Sequence, residues 1–347
     1  MSKAIDRRSF VRTVAVAAAV TGISMQVKGA LLYNVNPPKG LRVGIIGLDV
    51  SHSVAFTRLM NNVASDAEYG GYRVVAAYPQ GSSDIAFSVS RIPEFTKAVA
   101  AMGVEIVSSI ADLLTKIDVV MLNTNDGRLH LEQVLPVFKA GKRVFIDKPL
   151  AASLTDAAAI FQAADKYKVP VFSSSSLRYM ENRQELTTEK IGLILGADTY
   201  SPATIEKTHA DLFWYGIHGI EMLYTLLGTG CQEVRRIYTP DTDIVTGIWK
   251  GDRLGTFRGT RNGPHEYGGT VFAEKAVVNI KPAKGFSSLL KEVVAFFQSG
   301  ISPVSTAETL EIYAFMEAAD ESKRNGGAPV RIADVLSKIA DRKGPEK

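Results

Sequence analysis

The sequence predicts an α/β protein: a doubly wound parallel sheet in the N-terminal half, then a second domain. Three observations carry this. Short apolar runs alternate with helix-length segments from Leu41 to Ser173, the pattern of parallel strands joined by helical crossovers. The first run, Leu41–Gly47 (LRVGIIG), ends in glycine and leads directly into a helix, which is how a dinucleotide-binding unit opens. The run Arg143–Leu150 (RVFIDKPL) stops abruptly at Asp147-Lys148-Pro149, at the sheet edge where open α/β folds bind ligands. Pro149 biases Lys148 towards an extended backbone, which gives its ammonium a defined direction.

A chain of 347 residues suits two domains, and 46% hydrophobic with 22% charged residues is ordinary globular material. The formal charge of +4 resides entirely in residues 1–30, where Lys3, Arg7, Arg8, Arg12 and Lys28 face only Asp6. The remainder is neutral, so nothing points to a nucleic-acid partner. Cys231 is the only cysteine, which excludes an internal disulfide and a thiolate metal cluster. No metal site is expected.

The N-terminal charge has its own explanation. Arg7 and Arg8 precede an apolar run, Thr13–Met25, that is shorter than the roughly 20 residues of a membrane span but fits a signal-peptide core. The arrangement resembles a twin-arginine export signal, which implies a periplasmic or otherwise exported protein with no membrane association after signal removal. The expected organisation is a signal over 1–30, a linker over 31–40, a dinucleotide-binding domain over 41–175, a substrate domain over 176–335 and a tail over 336–347.

Within the first domain the expected strands are 41–47, 73–78, 104–107, 118–123, 143–146 and 169–173. Helices are expected at 53–62, 110–116, 129–140 and 156–167, and a further helical segment opens at Asp84, which can serve as its N-cap. The glycine fingerprint G-x-G-x-x-G is incomplete: Gly47 is followed by Asp49 and His52 where the second and third glycines belong. Asp49 beside a diphosphate is repulsive by roughly 1 kcal/mol or more unless a hydrogen bond turns it elsewhere, for example to Ser51 or a ribose. The second strand ends in Tyr78, Pro79 and Gln80, without the acid that usually holds the adenosine ribose.

Taken together, these parts resemble the Gfo/Idh/MocA oxidoreductases, the glucose–fructose oxidoreductase and inositol dehydrogenase group. Asp147-Lys148-Pro149 is similar to that family's Glu-Lys-Pro motif. Asn123-Thr124-Asn125 with His130 resembles the loop lining the nicotinamide, and Arg178 the arginine after the sixth strand. Tyr215-Gly216-Ile217-His218 resembles the end of the D-x-G-x-H element, whose histidine faces substrate. The resemblance implies a Rossmann domain plus a C-terminal α/β domain with a large, open, mostly antiparallel sheet, and a homodimer or homotetramer. It implies NAD or NADP contacts from Gly47, Asp49, Ser51, His52, Tyr78, Asn123, Asn125, His130, Asp147, Lys148 and Arg178. Substrate contacts would come from Lys148, Arg178, Trp214, Tyr215 and His218. The family's aspartate four residues before the histidine is Trp214 here, so His218 lacks its usual carboxylate; Asp211 or His209 could replace it only on an irregular backbone.

In the second half, Gly216–Leu227 has apolar residues at helical spacing, with His218 and Glu221 on another flank. Strands are expected at 234–238, 243–249, 254–258 and 269–272, and helices at 289–298 and 307–323, the latter with Phe315 and Met316 packing back on the first domain. Trp214, Tyr215, Trp249 and Tyr267 suit sugar stacking or a core. Two functions stand open. One is an exported NAD(P)-dependent oxidoreductase on a sugar or polyol hydroxyl, with a tightly held cofactor and Lys148 and His218 as acid/base pair. The other is a non-catalytic sugar-binding or interaction protein on the same fold, which Asp49, His52 and Trp214 favour.

Overall fold

The computed structural model describes residues 40–341, so the twin-arginine segment and the linker before residue 40 lie outside the described residues. In chain order, β1 (Arg42–Ile46), α1 (Ser51–Met60), β2 (Arg73–Tyr78), α2 (Ala86–Ala100), β3 (Glu105–Ile106) and α3 (Ile110–Lys116) come first. They are followed by β4 (Val119–Leu122), α4 (His130–Lys139), β5 (Val144–Asp147), α5 (Leu154–Tyr167) and β6 (Val171–Ser174). The six strands form one sheet in the order β3-β2-β1-β4-β5-β6, all pairs parallel. Strand order reverses between β1 and β4, which places the ligand crevice outside their C-terminal ends. These strands read as unbroken apolar runs because helices cover both faces; Val43, Ile45, Val120, Phe145 and Ile146 are wholly buried.

Every strand expected here is present, though β3 shrinks to two residues. Asp84 does not cap α2. That helix starts after Ile85 without a side-chain cap, and the Asp84 carboxylate turns to Ser82 and Arg128 instead. The Arg128 guanidinium holds Asp84 down at about 2, and the carboxylate faces that charged partner and not the helix N-terminus.

The second sheet contains β7 (Ile194–Pro202), which follows the short α6 (Thr188–Ile191), and then β8 (Cys231–Tyr238), β9 (Thr242–Trp249), β10 (Arg253–Thr260), β11 (Gly268–Ala273) and β12 (Val277–Asn279). With β13 (Val330–Arg331) the order is β12-β11-β7-β10-β9-β8-β13. Only the central β7–β10 pair is parallel; the rest are antiparallel. Helix α7 (Ile217–Leu227) lies against one face, close enough that a Cβ at Gly219 would sit 2.4 Å from the Phe257 ring. The opposite face is open: Leu195, Ile237, Leu254 and Phe272 are exposed.

α6, β7, β12, β13 and the last helix escape the sequence reading. The β7 sequence ILGADTYSP mixes Gly, Asp, Ser and Pro into one half-buried strand, so its alternation is faint.

Three further helices follow the sheet: α8 (Ser287–Ser299), α9 (Thr306–Arg324) and α10 (Ile332–Asp341). Helix α8 returns to the first sheet, where Leu290, Val293, Phe296 and Phe297 share a core with Val43, Phe56 and Phe172. Each such phenylalanine contributes about 2–3 kcal/mol of burial. Phe315 does not pack on the first domain: its ring lies against Tyr224 and Trp249 of the second. The side chain that crosses is Tyr313, whose hydroxyl meets the Ala151 amide at 3.0 Å and carbonyl at 3.2 Å. The reason is helical phase, since Tyr313 and Phe315 lie on different sides of α9. Trp249 is also core, wholly buried with its indole N–H donated to the Gly228 carbonyl.

Candidate active site

The turn after β1 needs glycine. Gly47 has φ +91°, and a Cβ there would lie 2.3 Å from the Thr124 amide nitrogen. Its N–H donates to Tyr78 O at 2.9 Å, and Ser53 Oγ donates to its carbonyl at 2.8 Å. The helix that follows, α1, has no side-chain cap, so its leading N–H groups and positive dipole end are available to an anion. Asp49 turns away from that end. Its Oδ1 accepts from the Asn125 N–H at 3.0 Å, and its Oδ2 lies beside Gly81, buried without a partner. Burial pushes the Asp49 carboxyl up, against the pull of that amide. The carboxylate therefore ties the β1 and β4 loops together.

At the end of β5, Asp147 is buried and accepts from the Lys148 N–H at 2.9 Å through Oδ1. Its Oδ2 forms a close buried contact with His52 Nδ1. Burial opposes the charged form of Asp147, but the His52 ring and then Lys148 outweigh it, and its pKa is lowered. His52, at the third glycine's place, is held edge-on by Phe286 at 4.4 Å. Lys148 is 5% exposed. Its Nζ has no hydrogen-bond partner among the described residues and sits 5.4 Å above the Tyr215 ring. Burial lowers its pKa, and Asp147 partly restores it.

His218 enters from the first turn of α7. Its Nδ1 lies 2.7 Å from Ser175 Oγ, and its ring is flanked by Tyr215 at 5.0 Å and Tyr267 at 6.0 Å. Burial, then Lys148 and His52, push its pKa well down, so the imidazole is neutral. Neither expected substitute for the missing aspartate reaches it: Asp211 pairs with Arg236 and Lys323, and His209 lies 3.2 Å from Asp126. Glu221, one turn after His218, accepts from Ser174 Oγ, the Ser175 N–H and Arg178 Nε, each at 2.9 Å.

One cleft of about 590 Å³ gathers Ser51, His52, Asn125 and Lys148 of the first domain with Trp214, Tyr215 and His218 of the second. Seven expected contacts do not line it: Gly47 and Asp49 of the loop before α1, Tyr78, and Arg178, His130, Asp147 and Asn123. Arg178 is buried between Glu221 and Glu308, offsets part of their charge and is not among the residues lining the cleft. His130 is wholly buried, with both ring nitrogens on the Thr124 and Leu150 carbonyls. Asp147 acts through His52 and Lys148 and lies behind the cleft wall. Asn123 is wholly buried, its Nδ2 3.5 Å from Ser53 Oγ and its Oδ1 unpartnered. Tyr78 lines a separate, more open groove with Gln80 and Ser82. The cleft also includes Phe87, Arg91, Glu206 and His265. Arg91 stacks on Phe87 at 3.5 Å; no pattern in the sequence marks a surface-helix arginine as a cleft residue.

These residues fit a dinucleotide. The Gly47 turn and uncapped α1 suit a diphosphate, Asp49 is drawn off by Asn125, and the buried Asn123 Oδ1 lacks a partner. Residues 41–175 match the family profile described as GFO_IDH_MocA, oxidoreductase family, NAD-binding Rossmann fold. Residues 41–175 are thus similar to the NAD-binding Rossmann domain of the Gfo/Idh/MocA family.

Similarity to individual proteins is more distant. An inositol 2-dehydrogenase of Salmonella paratyphi B is 23% identical over 218 residues, covering 60% of this chain and 61% of that protein. The chain thus matches about three fifths of the length of its curated relatives. Solved structures share the whole fold. A probable dehydrogenase from Thermotoga maritima superposes with TM-score 0.69 at 20% identity, over 85% of this chain and 100% of that one. A scyllo-inositol dehydrogenase from Lactobacillus casei, solved with NAD(H) and scyllo-inositol, gives TM-score 0.67 at 17% identity, over 85% and 100%. An Agrobacterium radiobacter oxidoreductase, in complex with NAD+, L-tartaric acid and magnesium, gives 0.68 at 17%, over 85% and 99%.

Proposed function

We propose that this chain is an NAD(P)-dependent oxidoreductase acting on a CH–OH group of a sugar, glycoside or polyol, with Lys148 and His218 handling the hydroxyl proton. The observation that carries the reading is convergence. Lys148, unpartnered at Nζ, and His218, free at one ring nitrogen, come from different domains and line the same cleft beside the nucleotide-binding edge. The similarity to inositol and scyllo-inositol dehydrogenases supports a polyol-like substrate. Gly47, Ser51, His52 and Asn125 would hold the dinucleotide, whose nicotinamide supplies the hydride acceptor or donor. Trp214 and Tyr215 offer apolar faces to a sugar ring, and Lys148 and His218 bind and orient its hydroxyl.

The first test is the nucleotide. Denaturing the purified protein should release NAD or NADP near equal stoichiometry, read by absorbance and mass spectrometry; protein freed of it should rebind nucleotide in a calorimetric titration. Asp49→Gly, which cuts the tie to Asn125, should change that affinity at least severalfold, or about 1 kcal/mol. No binding of either nucleotide by cofactor-free protein would move the reading to a non-catalytic sugar-binding protein.

The proposal extends to export by the twin-arginine route, supported by Arg7, Arg8 and the apolar run after them. Arg7→Lys with Arg8→Lys should strand the precursor in the cytoplasm; unchanged periplasmic yield in cell fractionation would refute it.

A further inference from the structure

We propose that Ser175 is a positioning residue that holds neutral His218 in its Nε2–H tautomer, making His218 a hydrogen-bond donor to the substrate oxygen and leaving Lys148 as the proton acceptor. The catalytic half of this rests on the oxidoreductase reading above; the tautomer does not.

The argument is a count of one hydroxyl's hydrogens. Ser175 is wholly buried and caps the short 3-10 turn Ser176–Arg178, accepting the Leu177 N–H at 3.2 Å through Oγ. A serine hydroxyl has a single hydrogen to give. Among the described residues the one other hydrogen bond of Ser175 Oγ is the 2.7 Å contact with His218 Nδ1. A buried hydroxyl hydrogen left unpaired costs about 1–3 kcal/mol, so it is donated to Nδ1. A neutral imidazole that accepts at Nδ1 carries its proton at Nε2. The tautomer is thus assigned from the hydrogen-bond network.

Ser175 cannot readily turn away. Its own N–H is held by Glu221 Oε2 at 2.9 Å, and Arg178 fixes the other Glu221 oxygen. Glu221 rides on the same helix as His218, so one element sets both the imidazole and its hydrogen-bond donor. The groups facing His218 are Lys148, His52, Tyr215 and Tyr267. None of them is a carboxylate that could accept from Nδ1 and so turn Nε2 into a base. Tyr267 is a poor base itself, since burial and its bond to the Tyr215 hydroxyl push its pKa far up. His52 is engaged by Asp147, Glu206 accepts from Thr208 and His265 is exposed. Lys148, with no hydrogen-bond partner at Nζ among the described residues, is the group assigned: as a free amine it takes the hydroxyl proton and becomes the ammonium, while His218 donates to the same oxygen and keeps its proton.

The chain contains only five histidines, so nitrogen-15 spectra of imidazole-labelled protein, assigned by subtracting a His218→Gln spectrum, read the tautomer without any turnover. We expect neutral His218 protonated at Nε2, with Nδ1 at a hydrogen-bonded position. Ser175→Ala should move the Nδ1 resonance towards its free position and lower kcat about tenfold, one hydrogen bond's worth, with KM little changed; Ser175→Thr should restore both. His218→Gln, whose amide donates but takes no proton, should keep the rising limb of the rate–pH profile. A wild-type His218 protonated at Nδ1, an Nδ1 resonance unmoved in Ser175→Ala, or loss of that limb in His218→Gln would overturn the inference. Protein that shows the Nε2–H tautomer yet oxidises no polyol would refute the oxidoreductase reading and leave the Ser175 assignment standing.

Discussion

Replacing Lys148 by alanine lowers turnover by about 100- to 10,000-fold, the usual worth of a positioned acid or base, while nucleotide affinity and thermal midpoint stay close to those of the parent. The side chain is buried but makes no hydrogen bond among the described residues that the variant would orphan, and its backbone N–H remains on Asp147. The pH profile adds a sign. Burial lowers the Lys148 pKa from the lysine value of roughly 10.5, so on the proposed role, in which oxidation needs the free amine, the rate should rise with pH along a limb below that value. Asp147 is what keeps the limb from moving further. Asp147→Asn removes this stabilisation of the ammonium and shifts the limb to more acid pH. Steady-state rates over a pH series check both variants; an unchanged limb in Lys148→Ala would assign it to another group.

Arg236→Leu destabilises the protein by about 3–5 kcal/mol, the effect of removing one partner from a buried charge cluster, and lowers the thermal midpoint by on the order of 10 °C. Arg236 is wholly buried in β8 and reaches Asp211, Asp243 and Asp320. Burial disfavours the charged guanidinium, but Asp243 and then Asp320 and Asp211 more than offset it, and its pKa is raised. Leucine leaves Asp243 and Asp320 buried with less positive charge, although Arg261 still reaches Asp243. Burial already holds the folded-state Asp320 carboxyl up at about 7, with Arg236 pulling it down, and without Arg236 it rises further. Asp320 then binds its proton still more strongly when folded, so the penalty of losing Arg236 is smallest in acid and grows as pH rises through about 7. Thermal unfolding of parent and variant from acid to mildly alkaline pH reads the trend; an equal penalty at every pH would contradict it.

Arg236 also explains why Asp211 was a poor candidate partner for His218. On sequence alone it is simply the nearest acid upstream. In the fold it belongs to a different cluster, while the partner of His218, Ser175, lies 43 positions away in the chain. The same contrast runs through the cleft. Ser51, His52, Asn125, Lys148, Trp214, Tyr215 and His218 were readable because each stands at a strand end, a helix start or a recognisable motif. Arg178, His130 and Asp147 were expected to touch cofactor or substrate but lie behind the cleft wall, since an ion pair or a pair of carbonyls there leaves no trace in a linear pattern.

The sequence by itself determined the parallel sheet, its strand–helix alternation and the position of Lys148 at its edge, because hydrophobic periodicity and turn chemistry act over a few residues. It also determined that Gly47 turns the chain where two glycines are lost. Only the tertiary structure decided what replaces them and the missing aspartate: Asp49 bonded to Asn125, His52 to Asp147, and Ser175 to His218. Those are contacts between distant segments. Their energy depends on burial and on which donor meets which acceptor, and both exist only once the two domains have closed around the cleft.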